Sequence, residues 1–368
     1  MGSYTSEPQK LWIETPCIPS TALSQAAGCN IFLKLENLQP SGSFKSRGLG
    51  HMMQRALAAH RAAAKVKEPD ADAEGEAGVV HFYCSSGGNA GLACATAAAA
   101  LGRSRCTCTI VVPLITPEHM VAKLRLLGAE VHQVGAHWGL ADAHLRESLL
   151  ARDPHHGVYV PPFDHPDIWE GASSIVDEVA AQMAAFIGRG DGEDSGNIDG
   201  FVCSVGGGGL LNGIMEGVER QKWGPRGEKP RVLAVETIGA DSLNQSVRAG
   251  ELVTLPAITS VATNLGAPRV SERTFEWTRR ADYLTSHVVS DADAVAGSVK
   301  FANDARMLVE VACGATVAPV YNGDLRSVLG AGLGDEEWRR KNVVLIVCGG
   351  SNVTLEMLRE YQEKFGVD

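Results

Sequence analysis

The chain has 368 residues, 45% of them hydrophobic and 21% charged, with a formal net charge of −10. That length supports a large buried core in one large or two ordinary domains. The acidic balance repels a phosphodiester backbone, which excludes nucleic acid as an expected partner. No run of 18 apolar residues occurs, so no membrane span is expected. The nine cysteines include no Cys-x-x-Cys pair and read as reduced thiols of a cytoplasmic protein.

In chain order, Thr15–Pro19 reads as a turn and Ser20–Ala27 as a short helix. Ile31–Glu36 alternates like a half-buried strand. The loop Ser41-Gly42-Ser43-Phe44-Lys45-Ser46-Arg47-Gly48 then enters a helix expected over about 48–60. Residues 62–78 are rich in Ala, Lys, Asp and Glu and read as a surface insertion. A buried strand, Val79–Tyr83, runs into Cys84-Ser85-Ser86-Gly87-Gly88-Asn89-Ala90-Gly91 and an alanine-rich helix to Leu101. Strands at Thr109–Pro113, Glu130–Val134 and Gly157–Val160 alternate with helices at Pro117–Leu127 and Trp138–Ala151. A long helix over Ile168–Ile187 precedes a second glycine- and acid-rich loop, 188–200. The strand Phe201–Val205 meets Gly206-Gly207-Gly208-Gly209-Leu210, with a helix to Gln221, and Val232–Glu236 is the next strand. Helical stretches follow near Asp241–Ala249, Ser271–Arg280, Asp291–Asn303 and Val309–Tyr321. The last strand, Val343–Cys348, meets Gly349-Gly350-Ser351-Asn352 and a final helix, Thr354–Phe365. Strand–loop–helix alternation with continuous apolar strands predicts an α/β fold of parallel sheets covered by helices.

The chemistry gathers in loops that leave the carboxyl ends of strands, where open α/β sheets bind ligands. Lys45 lies on a turn shaped by Pro40 and Gly42, beside Phe44 and at a helix start. The helix N-terminus and neighbouring Arg47 disfavour an ammonium there, and a partly neutral lysine can form a Schiff base or remove a proton. Gly206–Gly209 let several N–H groups face one anion, with a helix N-terminus behind them, which reads as a phosphate cradle. The spacing is neither a dinucleotide fingerprint nor a P-loop, since no glycine falls at the required third position and no Gly-Lys dipeptide occurs. Ser85–Gly91 offers hydroxyls, N–H groups and the Asn89 amide to a carboxylate or a phenolic oxygen. One amine, one phosphate cradle and one carboxylate cradle together suit pyridoxal 5′-phosphate (PLP). Glu236 ends an apolar strand, where a charge needs a cation or hydrogen bonds. Trp138, Trp169 and Trp277 sit at helical spacing among apolar residues and read as core. No zinc-type ligand spacing and no Gly-x-Ser-x-Gly elbow occurs.

Ser-Gly-Ser-Phe-Lys-x-Arg-Gly, Ser-Ser-Gly-Gly-Asn-Ala-Gly, Gly-Gly-Gly-Gly-Leu and Cys-Gly-Gly-Ser-Asn, in this order, resemble the fold-type II PLP enzymes, and among them the serine/threonine dehydratases. Further stretches agree: Pro161–Asp164 with Ile168–Gly171, Glu236-Thr237 with Gly239-Ala240, and Ile258–Ala262. The resemblance covers nearly the whole chain except the stretches near 62–78 and 188–200. It implies two parallel-sheet domains of the tryptophan synthase β type: a small one, 42–160, set into a large one made of 1–41 and 161–368. It further implies that Lys45 carries the cofactor beside Phe44, that Gly206, Gly207, Gly208, Gly209 and Leu210 hold its phosphate, that Asn89 meets its ring oxygen, and that Cys348 faces its ring nitrogen. Ser86, Gly87, Gly88, Asn89 and Ala90 would hold the substrate carboxylate. The Glu236 carboxylate with the Ala240 and Leu265 carbonyls would hold a monovalent cation, usually potassium, and a homodimer is expected. Gly87 stands where liver members carry alanine, which loosens this loop.

The implied reaction is elimination from L-serine to pyruvate and ammonia, with L-threonine giving 2-oxobutyrate. A biosynthetic threonine dehydratase would need a regulatory domain after Cys348-Gly349-Gly350. The alternatives within the family are a catabolic L-threonine dehydratase and a serine racemase-like enzyme, the latter expected to carry serine at the ring nitrogen. A catalytically silent amino-acid-binding homologue is the alternative of another class, and the intact lysine and loops argue against it.

Overall fold

A computed structural model describes residues 10–67, 78–187, 197–223 and 227–367. The chain divides into two compact units: one holds the arm ending at Ile13, Gln39–Ser41 and Lys45–Pro162, and the other holds Glu14–Leu38, Gly42–Phe44 and the chain from Phe163. The expected division, 1–41 with 161–368 against 42–160, differs from these units in the arm ending at Ile13, in Gln39–Ser41, in Gly42–Phe44 and in Pro161 and Pro162.

Among the described residues the strands are β1 (Cys17–Pro19), β2 (Asn30–Lys34), β3 (Val80–Cys84), β4 (Cys106–Val112), β5 (Glu130–Gln133), β6 (Gly157–Tyr159), β7 (Gly200–Ser204), β8 (Arg231–Thr237), β9 (Leu284–Val289) and β10 (Asn342–Ile346). In the larger unit they form one sheet ordered β1-β2-β10-β7-β8-β9, parallel except that β1 runs antiparallel to β2. In the smaller unit β5-β4-β3-β6 form an all-parallel sheet. Every residue of β7 and β10 is buried, as expected of parallel strands covered on both faces.

Helices α1 (Thr21–Ala27), α2 (Lys45–Lys67), α3 (Asn89–Leu101), α4 (Glu118–Leu126), α5 (Trp138–His144), α6 (Pro166–Ile187) and α7 (Gly209–Arg220) supply covering layers of the two sheets. α8 (Ser242–Ala249), α9 (Glu272–Arg280), α10 (Asp291–Ala305) and α11 (Val311–Asn322) complete the larger unit with the C-terminal helix Leu355–Phe365. α7 packs closely on α6 because Gly213 and Gly217 face it. A methyl group at 213 would lie 2.5 Å from the Ala172 Cβ.

The α/β architecture expected from the sequence is the one observed. Element boundaries differ in instructive ways. α2 begins at Lys45 itself and continues to Lys67, so part of the supposed insertion is helix; 68–77 and 188–196 lie outside the described residues. The expected helix Trp138–Ala151 is helical only to His144, then widens into a π turn and tightens into a 3-10 turn ending at Arg152. β1 and β9 were not legible: β1 is three residues ending in proline, and β9 is a half-buried edge strand without an apolar run. All nine cysteines are buried and free. Among the described residues no helix is long and apolar enough to cross a membrane.

Candidate active site

In the larger unit the carboxyl ends of adjacent strands carry the chain leading to Lys45, the tetraglycine turn, Glu236 and the Cys348 turn. β10 lies between β2 and β7, so the chain leaving β2, the Cys348 turn and the tetraglycine turn emerge side by side. The backbone stitches the first two together. Phe44 N–H donates to the Cys348 carbonyl at 3.2 Å, and Gly350 N–H donates to the Gly42 carbonyl at 2.9 Å. Ser43 pairs with Gly349 as an isolated bridge. The residue before Lys45 is thus bonded to a residue some 300 positions later. Gly350 has φ +115°, and a side chain there would strike the Glu310 carboxyl. That carboxylate is buried and accepts from the Asn352 N–H at 2.7 Å and from the Asn264 amide.

The Cys348 Sγ is 3.4 Å from Ser204 Oγ. A hydrogen bond from Cys313 pulls the Cys348 thiol down against its burial, and Ser204 adds to the fall. The same bond, with burial, raises Cys313 well above the ordinary thiol range.

Val205 N–H donates to the Val235 carbonyl at 2.8 Å, which sets Glu236 level with the start of the glycine turn. A side chain at 206, 207, 208 or 209 would meet Leu265, Phe163 or Thr274, and Gly208 has φ +99°. Only bare backbone fits, and its N–H groups are what the turn offers. α7 opens at Gly208 with no side-chain cap, leaving the N–H groups and the positive end of a 12-residue helix to a ligand. This donor set fits a phosphate group.

Glu236 is fully buried and accepts from the Leu243 N–H at 2.8 Å and the Asn244 N–H at 2.7 Å. Burial pushes its carboxyl up to about 8 despite those two bonds. Ala240 is tied back by its N–H to the Thr237 carbonyl at 2.8 Å, and Leu265 packs against Gly206. Of the three expected cation ligands, Glu236 thus lies level with the start of the glycine turn and Leu265 packs against Gly206, while Ala240 is joined to the end of β8. Among the described residues no cluster of three or more His, Cys, Asp or Glu suits a metal ion.

In the smaller unit Lys45 opens α2, and its Nζ donates to the Pro162 carbonyl at 2.9 Å, just beyond β6. Ser41 and Ser46 hydroxyls, 2.7 Å apart, close the loop around the helix start. Ser85–Gly88 leave β3, and Asn89 begins α3 as a buried residue. Gly88 N–H donates to Ser86 Oγ at 3.3 Å. A methyl group at Gly87 would lie 2.6 Å from Thr116 Cγ2.

Sequence reasoning missed Pro162 as the partner of the lysine, Phe163 and Thr274 as walls of the glycine turn, and the Ser204–Cys313–Glu310 surroundings of Cys348. The Pro161-Pro162-Phe163-Asp164 motif was visible, but only the fold says what it touches. Trp138, read as core, is 43% exposed; Trp169 is half-buried and Trp277 is core.

A family model described as pyridoxal-phosphate dependent enzyme matches residues 9–349. The chain is 41% identical over 358 residues to the L-serine dehydratase/L-threonine deaminase of Bos taurus, covering 97% of each. It is 39% identical over 346 residues to an L-serine dehydratase of Saccharomyces cerevisiae, covering 93% of this chain and 94% of that one. The crystal structure of a fungal L-serine ammonia-lyase from Rhizomucor miehei superposes with a TM-score of 0.80 at 33% identity, over 97% of this chain and 100% of that one. The bare-backbone glycine turn, the lysine at the start of α2 and these matches agree, and the chain belongs to the pyridoxal-phosphate dependent enzymes.

Proposed function

We propose that this chain converts L-serine to pyruvate and ammonia, and L-threonine to 2-oxobutyrate and ammonia, with Lys45 as the catalytic residue. The observation that carries the reading is the bonding of Gly42–Phe44 to Cys348–Gly350. It holds Phe44, the residue preceding Lys45, to the turn that bears Cys348. Near-full-length similarity to proteins named for this reaction supports the substrate class.

The cofactor supplies an electron sink for the substrate Cα and a carbonyl carbon for the amines. The roles of the protein groups follow from their chemistry. Lys45 takes the Cα proton as general base, and the Pro162 carbonyl holds its amine in place. Gly206–Leu210 bind the phosphate through backbone N–H groups. Ser86–Ala90 bind the substrate carboxylate, and Asn89 also meets the ring oxygen. Phe44 packs beside the cofactor. Cys348 meets the ring nitrogen, and sulfur is a weak hydrogen-bond partner. It holds a ring N–H⁺ less firmly than a carboxylate would, which favours loss of a β leaving group over transamination. Glu236 with the Ala240 and Leu265 carbonyls binds potassium, whose charge draws the carboxyl toward its ionised form. A cytoplasmic homodimer acting in amino-acid catabolism, and so feeding gluconeogenesis, completes the proposal.

The test is release of pyruvate and 2-oxobutyrate from L-serine and L-threonine by the purified holoenzyme, in potassium and in sodium. Lys45→Ala should lower release at least about a thousandfold, the upper range for a general base that is also a covalent anchor. A holoenzyme with the cofactor's visible absorbance but no keto acid from either substrate would favour the silent binding homologue. Sedimentation of the holoenzyme reads the dimer.

A further inference from the structure

Ser85, the residue that precedes the candidate carboxylate cradle, is gripped twice by α5. Its carbonyl accepts from Trp138 Nε1 at 2.6 Å, and its hydroxyl donates to Asp142 Oδ1 at 2.5 Å. Trp138 and Asp142 are four residues apart, hence on one face of the helix. We propose that they are positioning residues for the substrate, holding the Ser85–Ser86 peptide so that the Ser86 N–H faces the carboxylate cradle; this rests on the reading that Ser86–Ala90 bind the carboxylate.

Three observations carry the inference. First, the peptide between Ser85 and Ser86 is planar and trans, with no cis bond in the described chain. Fixing its oxygen toward Trp138 turns the Ser86 N–H to the opposite side. Second, Trp138 is 43% exposed as a residue while its indole N–H donates to the Ser85 carbonyl. An exposed tryptophan contributes little to the core, so the bond, not burial, is its evident contribution. Third, Asp142 is itself held. It accepts from Tyr159 OH at 2.7 Å, Arg146 lies 3.6 Å away, and the Arg146 guanidinium sits 4.5 Å over the Tyr159 ring. Tyr159 ends β6, three residues before the Pro162 carbonyl that accepts from Lys45. The helix thus braces both the substrate loop and the strand leading to the lysine's anchor.

Trp138→Phe removes the N–H and keeps the ring. The expected result is a three- to tenfold rise in KM for L-serine, the size of one neutral hydrogen bond, with kcat within about twofold. The apparent Kd from titrating the holoenzyme's visible absorbance with L-serine should rise by the same factor, with cofactor content and melting temperature unchanged. Asp142→Asn keeps an acceptor for both hydroxyls and should stay near wild type, whereas Asp142→Leu should behave like Trp138→Phe. Unchanged KM and Kd in Trp138→Phe would overturn the proposal. So would parallel loss of kcat, cofactor content and melting temperature, which would mark a purely structural brace. Failure of the wild-type holoenzyme to release any keto acid would instead strike the proposed function.

Discussion

Two glycine-bearing loops, Ser85–Gly91 in the smaller unit and Gly206–Gly209 in the larger, occupy equivalent places at a strand end before a helix, yet side-chain bonds dominate at the start of one and exclusion dominates along the other. The tetraglycine turn is shaped by exclusion. Leu265, Phe163 and Thr274 leave no room for a side chain, and the helix behind it has no side-chain cap. The start of the serine loop is shaped by attachment, with Trp138 and Asp142 fixing Ser85, while Thr116 crowds Gly87 and the Ser86 carbonyl leaves no room for a side chain at Gly91. An exclusion-built loop is fixed by its own composition and suits an anion bound with every turnover. A loop built by attachment can be tuned by residues some 50 positions away, and suits the recognition of substrate.

This contrast can be broken by adding a single methyl group. Gly208→Ala should have the largest effect. A residue with φ +99° resists a side chain, and Thr274 occupies the space. We expect cofactor retention, measured by visible absorbance after dialysis, to fall at least tenfold. Gly87→Ala should do less. Its methyl group would sit 2.6 Å from Thr116 Cγ2, an overpacking costing about 1–3 kcal/mol, read as an altered KM for L-serine with cofactor retention intact. Thr116→Ser deletes the crowding methyl group, so the double variant Gly87→Ala/Thr116→Ser should recover most of the loss. Absence of that recovery would mean that Thr116 does not set the loop.

The smallest effect concerns Glu236, beneath the tetraglycine turn. Its folded-state carboxyl is raised from about 4.5 to about 8 by burial, so the fold favours its protonated form. That contribution is fully present below about pH 4.5 and is lost as pH rises through about 8. In buffer free of potassium and sodium, the melting temperature should therefore decline across this window, and Glu236→Gln should flatten the decline. Equal slopes for both proteins would show that Glu236 does not titrate there.

Much of the site was legible because its loops are made of residues with few other uses. Four consecutive glycines, or a lysine between a Ser-Gly-Ser turn and a helix, restrict the backbone chemistry whatever the surroundings. Trp138 was misread for the converse reason: a tryptophan at apolar spacing is equally consistent with packing and with donating one hydrogen bond. The partners of Cys348 were hidden because Ser204 ends β7 whereas Glu310 caps α11 and Cys313 lies in its first turn, more than 100 positions away in sequence. β9 was hidden because its polar residues, Thr285, Ser286 and His287, interrupt the apolar run that marks a buried strand.

Local composition alone decided the strand–helix alternation, the parallel α/β class and the chemistry of the three loops, because backbone conformation and apolar periodicity are short-range properties. Tertiary structure decided which carbonyl receives the lysine, which side chains wall the glycine turn and which helix grips Ser85. Those contacts join residues tens to hundreds of positions apart, and only the order of strands within each sheet brings them within bonding distance.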